Sequence, residues 1–171
     1  MEKERIFLEV DAECCWCSVR DKFGKDARLD FQKLKGKAEE RKDSEIVLAK
    51  AYVVTNKLST VSSFVSSLNH MGYEVELGYS YQTDGSKMDV AIAVDAIKFL
   101  RRYDTYVLAS GDGDFVALVL YLKEKGKKVE IVSTKEDISA KLLKNADEVY
   151  FIREDMIYRE EETKKDEVQK V

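Results

Sequence analysis

The sequence predicts an α/β fold: a three-layer sandwich in which helices cover both faces of a mainly parallel sheet. Short apolar runs alternate with helix-periodic segments along the chain. The intervening helices are long enough to carry a parallel crossover from one strand to the next. One stretch shows the unit whole. Tyr106-Val107-Leu108-Ala109 reads as a buried strand and Ser110-Gly111-Asp112-Gly113-Asp114 as an acidic turn. A helix begins near Asp114 with Phe115, Leu118, Val119 and Leu122 on one side, Gly126 stops it, and Val129 to Val132 forms the next strand. Such a unit predicts a right-handed crossover, and ligands of open α/β sheets sit in the turn after a strand's carboxyl end.

The other elements follow in order. Arg5 to Val10 is the first strand, with Asp11 at its carboxyl end. Helical spacing continues through Trp16, Val19 and Phe23 and breaks at Gly24. Asp30 caps a short helix that runs into the basic stretch Lys33 to Lys42. Glu45 to Val54 is the second strand, and Ser59 or Thr60 caps a helix carrying Val61, Phe64, Val65 and Leu68. His70, the only histidine, ends that helix before Gly72, and Tyr73 to Leu77 alternates as a third strand.

Thr83 to Ser86 is a turn. The helix that starts at Asp89 carries Val90, Ile92, Ala93, Val94, Ile97 and Leu100, and is apolar enough to be expected beneath other elements rather than at the surface. A small helix near Ile138 to Leu143 and a last strand, Glu148 to Ile152, close the sheet. Residues 1–153 are therefore expected to form one domain, and 154–171 a charged tail that is a frayed helix or disordered.

A chain of 171 residues suffices for one domain that buries about two-thirds of its extended surface. With 44% hydrophobic and 36% charged residues it is not a wholly disordered chain. A net charge of −4 argues against coating nucleic acid by bulk attraction, while leaving room for local basic patches. No run approaches the roughly 18 apolar residues of a membrane span. The opening Met1 to Arg5 leads into a short strand and not a signal peptide's apolar region, so a cytoplasmic location without membrane contact is expected. Cys14, Cys15 and Cys17 are odd in number and crowded around Trp16, which argues for reduced, partly buried thiols over a disulfide framework or a zinc site.

The aspartates carry the chemistry. Asp11 ends the first strand, Asp112 and Asp114 end the fourth, Asp89 begins the apolar helix and Asp95 lies within it. Singly, each has an ordinary role as a helix cap, a turn residue or a buried ion-pair partner. Jointly they point to a cation, because clustered carboxylates raise one another's pKa and are stable as anions when a divalent ion shares them. Oxygen ligands suit Mg²⁺ or Mn²⁺, which polarises a phosphoryl oxygen and activates water for attack on a phosphodiester. One histidine cannot furnish a Ser-His or Cys-His arrangement. A haloacid-dehalogenase-like phosphatase needs a nucleophilic aspartate with a second aspartate two residues on, and Asp11-Ala12-Glu13 lacks it.

The residues resemble the NYN domains of the PIN-like nuclease group, in particular the LabA-like (DUF88) branch. The matching pieces are the strand ending in Asp11, Phe23-Gly24 with Leu29-Asp30, Met71 to Val75, Lys87 to Asp95, Ser110 to Phe115, Ser139 to Leu142, and Ala146-Asp147-Glu148 with Phe151. They span about residues 5 to 152 in family order. The resemblance implies a PIN-like sheet of order 3-2-1-4-5 plus an edge strand, and a Mg²⁺- or Mn²⁺-dependent ribonuclease acting in RNA processing or decay. The alternative it leaves is a catalytically weak NYN-like module that binds RNA or protein.

Carried over by position, Asp11, Asp89, Asp112 and Asp114 are the catalytic and metal-binding carboxylates, with Asp95 and Glu13 as weaker metal candidates. The family's first block commonly reads Asp-x-x-Asn, whereas here it is Asp11-Ala12-Glu13-Cys14. The expected partner is single-stranded RNA, with Lys87, Arg101, Arg102 and Tyr81 as candidate contacts. The charged tail is the candidate contact for a protein partner or a second copy of the chain.

Overall fold

A computed structural model describes residues 3–40, 43–79 and 88–159. Its central sheet has six strands: β1 (Glu4–Asp11), β3 (Ser44–Thr55), β4 (Glu74–Tyr79), β5 (Thr105–Ala109), β6 (Lys128–Ser133) and β7 (Glu148–Phe151). Their spatial order is β4-β3-β1-β5-β6-β7, and every neighbouring pair is parallel. Counted along the sheet's own strands this is 3-2-1-4-5-6, the expected order with its edge strand. Two short strands between β1 and β3 and after β7, namely β2 (Ala27–Leu29) and β8 (Ile157–Arg159), pair antiparallel outside the main sheet.

Side-chain alternation on the strands builds two cores. Ile6, Leu8 and Val10 of β1, Ala49, Ala51 and Val53 of β3, and Val107 and Ala109 of β5 face one way. There they meet α1 (Ala12–Phe23), α2 (Phe31–Glu39) and α3 (Leu58–His70). Phe7, Leu48, Tyr52, Tyr106 and Leu108 face the other way, against α4 (Asp89–Lys98), α5 (Val116–Glu124) and α6 (Ala140–Asn145). The chain thus changes faces between the β1–β3 side and the β5–β6 side. The gap beyond the carboxyl ends of β1 and β5 is the topological switch point, where open α/β sheets bind ligands.

Local chemistry explains most boundaries. Asp30 accepts hydrogen bonds from the N–H groups of Gln32 and Lys33 and starts α2. His70 is the last residue of α3, its Nδ1 2.7 Å from the Ser66 carbonyl, the terminal role its position predicts. Neither Ser59 nor Thr60 caps α3. Lys57 holds that position, and the Thr60 hydroxyl donates back to the Lys57 carbonyl at 2.6 Å. All three cysteines are free thiols.

Two expectations need correction. The domain does not end at residue 153. Ile152, Met156 and Ile157 are buried in the α1–α3 core, and β8 pairs with β2, so the described fold runs on to Arg159. Those anchors are scattered among charges, which hides them in a hydropathy reading. Nor is α4 a covered helix. Val90, Val94 and Ile97 lie on its exposed side, while Ile92, Asp95 and Ala96 are buried.

Candidate active site

The site grows out of three strand and helix ends at the carboxyl edge of the sheet. Asp11 continues the row of Phe7 and Glu9 on β1, so its side chain leaves the strand on the α4 side of the sheet. It is also the N-cap of α1, one carboxylate oxygen accepting the Cys14 N–H at 3.1 Å and the other the Ser110 hydroxyl at 3.2 Å. Burial lifts the Asp11 carboxyl above its ordinary range. Those two bonds oppose the lift, and the charges of Asp89 and Glu13 add to it.

Ser110 links this group to the acidic turn, since the Asp112 N–H reaches its hydroxyl at 3.3 Å. Asp112 in turn accepts the Asp114 N–H at 2.9 Å and caps the single helical turn Gly113–Phe115 that leads into α5. Asp89 supplies a carboxylate from the first turn of α4. Oxygens of Asp89, Asp112 and Asp114 lie within 4.8 Å of one another, with Asp89 and Asp112 half-buried and Asp114 exposed. Residues far apart in sequence have been brought to one spacing that a single hard divalent cation can bridge.

The turn depends on a missing side chain. A Cβ on Gly111 would stand 2.6 Å from the Ser133 hydroxyl and 2.8 Å from the Asp137 carbonyl, so only glycine lets the loop after β6 close over it. That loop is tied down by the Ser139 N–H to the Gly111 carbonyl at 3.0 Å and by a Lys22–Glu136 pair at 2.9 Å. Cys14 sits in the same seam, accepting the Gly111 N–H at 3.5 Å and donating to Asp137 at 3.7 Å. Burial pushes its thiol up to about 11, which favours the neutral thiol.

Several sequence candidates stand elsewhere. Asp95 is not among the three neighbouring carboxylates. It faces the sheet from the buried side of α4, paired with Lys50 and accepting the Tyr52 hydroxyl at 2.8 Å. Burial works against its anion, but the bonds from Lys50 and Tyr52 and the Lys50 charge outweigh that and hold its carboxyl below the usual range. Glu13 is exposed on the first turn of α1 and is likewise outside the trio.

Arg101 and Arg102 are also displaced. They follow the far end of α4, about 15 Å along its axis from Asp89. There the Arg5 guanidinium contacts the Arg101 carbonyl at 3.4 Å, beside the amino end of β1. The helix carries them to the opposite edge of the sheet. Lys87 and Tyr81 lie outside the described residues.

Sequence reasoning missed other features. Lys57 and Lys135 are exposed cations after β3 and β6, at the same edge as the carboxylates. Asp137 was hidden in an ordinary loop. Glu9 is fully buried in the middle of β1, its carboxyl group hydrogen-bonded with the Tyr52 hydroxyl and accepting the Tyr106 hydroxyl at 2.6 Å. An acid inside an otherwise apolar strand was the available signal.

Comparison with known proteins agrees with this architecture. Residues 5–155 match the NYN domain family. The chain belongs to the NYN family. This NYN domain is 28% identical over 120 residues to the low amplitude and bright protein LabA of Synechococcus elongatus, which supports the LabA-like branch. The match covers 64% of this chain and 64% of LabA, somewhat under two thirds of each. A crystal structure of a Vibrio parahaemolyticus protein of unknown function superimposes with a TM-score of 0.81 at 30% identity, covering 92% of this chain and 98% of that one. NYN domains form a PIN-like nuclease family. Among the described residues no helix is long and apolar enough to cross a membrane.

Proposed function

We propose that this NYN domain is a divalent-metal-dependent ribonuclease that hydrolyses phosphodiester bonds of single-stranded RNA, in RNA processing or decay. The observation that carries the reading is the meeting of Asp89, Asp112 and Asp114 within 4.8 Å at the switch point. The donor set fits Mg²⁺ or Mn²⁺, being all carboxylate oxygen with no thiolate or imidazole. A bound ion there supplies charge neutralisation at the phosphoryl group and a water of lowered pKa.

The chain's own residues divide the remaining work. Asp89, Asp112 and Asp114 are the ligands, and the Asp114 N–H bond to Asp112 fixes the plane of that carboxylate. Asp11, at the end of β1 and joined to the acidic turn through the Ser110 hydroxyl, takes the proton of the attacking water. Water oxygen bonds to phosphorus as the bond to the leaving ribose oxygen breaks, and that oxygen takes a proton from solvent. Lys57 and Lys135 meet backbone phosphates on either side of the carboxylates.

Cys14 in place of the family asparagine favours a second reading, a module that binds RNA without cutting it, because a neutral thiol spent on Gly111 and Asp137 does not replace an amide. Labelled single-stranded RNA with Mg²⁺ or Mn²⁺ separates the readings. The nuclease requires cleavage by the native chain that Asp112→Asn abolishes. Cleavage equal in both proteins belongs to a contaminant, and RNA bound but uncut under both metals establishes the module.

A further inference from the structure

A groove of about 730 Å³ opens on the α1–α3 face of the sheet, close to its carboxyl edge. It starts at Ala12 and Glu13, directly after Asp11, and runs between α1 and α3 under the β2–β8 pair. Trp16, Phe64 and Tyr158 give it aromatic surface, while Glu13, Arg28 and Ser63 give it polar groups. We propose that this groove is a nucleobase subsite, which receives a base of single-stranded nucleic acid next to the phosphate held at the carboxylates. The proposal rests on the nuclease reading for its position and on the groove's own lining for its ligand.

The lining selects a base over other occupants. Bases stack on aromatic faces, and a volume inside the usual range of roughly 300–1,000 Å³ for small-ligand pockets admits a nucleoside. Trp16 is 46% exposed, and the Arg20 guanidinium lies 4.1 Å from its ring centroid. That cation holds the indole in place and leaves its remaining surface to the groove. Glu13 at the mouth repels a phosphate but accepts a hydrogen bond from an exocyclic amine, so the sugar-phosphate stays at the rim. Arg28 at the groove wall is held by the carbonyls of Lys25 at 2.7 Å and Ala27 at 2.9 Å. A purely apolar peptide side chain would leave Glu13 unused.

Trp16 is the chain's only tryptophan, so its emission reports on this groove. The test titrates the full-length protein, in EDTA, with a short 5′-labelled oligoadenylate while following Trp16 emission and label anisotropy together. Quenching is expected to saturate with the same Kd as the anisotropy. Ser63→Phe, which fills the groove from an exposed position, and Tyr158→Ala are each expected to weaken binding about tenfold without lowering Tm.

Binding seen by anisotropy with unchanged Trp16 emission, with both variants binding like the native chain, overturns the proposal. So does the absence of binding by either readout. Asp112-dependent cleavage that persists unchanged in both variants removes the subsite alone. Quenching without any Asp112-dependent cleavage leaves the subsite and removes the nuclease.

Discussion

Asp112 is the residue on which the site turns. Its backbone N–H binds Ser110, its side chain caps the Asp114 turn, and its carboxylate is one of the three that meet. Asp112→Asn keeps the cap, because an amide oxygen still accepts that N–H, but gives up a negative charge. Removing one charged ligand forfeits several kcal/mol of transition-state stabilisation, so RNA cleavage is expected to fall by about two to three orders of magnitude. Melting separates this from misfolding. In EDTA the variant is expected to melt at or above the native temperature, because one repulsion among like charges is gone. Adding Mn²⁺ should raise the native Tm through binding to the folded state alone and leave the variant's unchanged. A variant that is equally stabilised by Mn²⁺ places the ion elsewhere.

At the scale of elements, α4 decides whether Asp89 reaches the other carboxylates. Asp95 lies six positions further along, and its pair with Lys50 and bond to Tyr52 fasten the helix to β3. The sequence shows an acid inside an apolar helix, which by itself favours a buried ion-pair partner and leaves a metal ligand as the weaker account. The lysine that decides between them is on another element, 45 residues away, and no periodicity links the two. Lys50→Met leaves Asp95 buried without its partner and is expected to cost about 3–5 kcal/mol in urea unfolding. It should also weaken Mn²⁺ binding by loosening Asp89. A Lys50→Met, Asp95→Leu double variant that recovers stability but not metal affinity distinguishes anchoring from simple packing.

The β2–β8 pair was illegible for a related reason. Each strand has only three residues and finds its partner across nearly the whole chain. Ile157 of β8 and Met156 just before it are buried in the same core as Leu29. Ending the chain after Arg153 removes both, and is expected to cost about 3 kcal/mol or more by denaturant melt.

Across the whole molecule, the six parallel strands of the main sheet gather their carboxyl ends at one edge, and this is why the carboxylates could be grouped from sequence before any contact was known. The same rule misplaces cations when applied by proximity in sequence. Arg101 and Arg102 follow Asp89 closely, yet the helix between them spans the sheet and delivers them to the other edge. Lys57 and Lys135 look unremarkable in sequence and arrive at the right one.

The buried centre of the sheet carries one more consequence. Burial raises the Glu9 carboxyl from 4.5 to about 8, against the hydrogen bonds from Tyr106 and Tyr52. Between those values the folded chain holds a proton that the unfolded chain releases. The stability this provides is complete below the unfolded pKa, declines as pH rises and is lost above the folded one. Asp95, held below its usual range, has the opposite sign and acts only at more acidic pH, outside this window. Unfolding free energies from urea melts in EDTA are therefore expected to fall from pH 5 to pH 9 by an amount on the order of a few kcal/mol. In Glu9→Gln, which is neutral throughout and retains an acceptor for a tyrosine hydroxyl, most of that decline should be gone. Equal slopes for the two proteins would mean that Glu9 is already ionised in the folded chain, with the Lys50 charge nearby outweighing its burial.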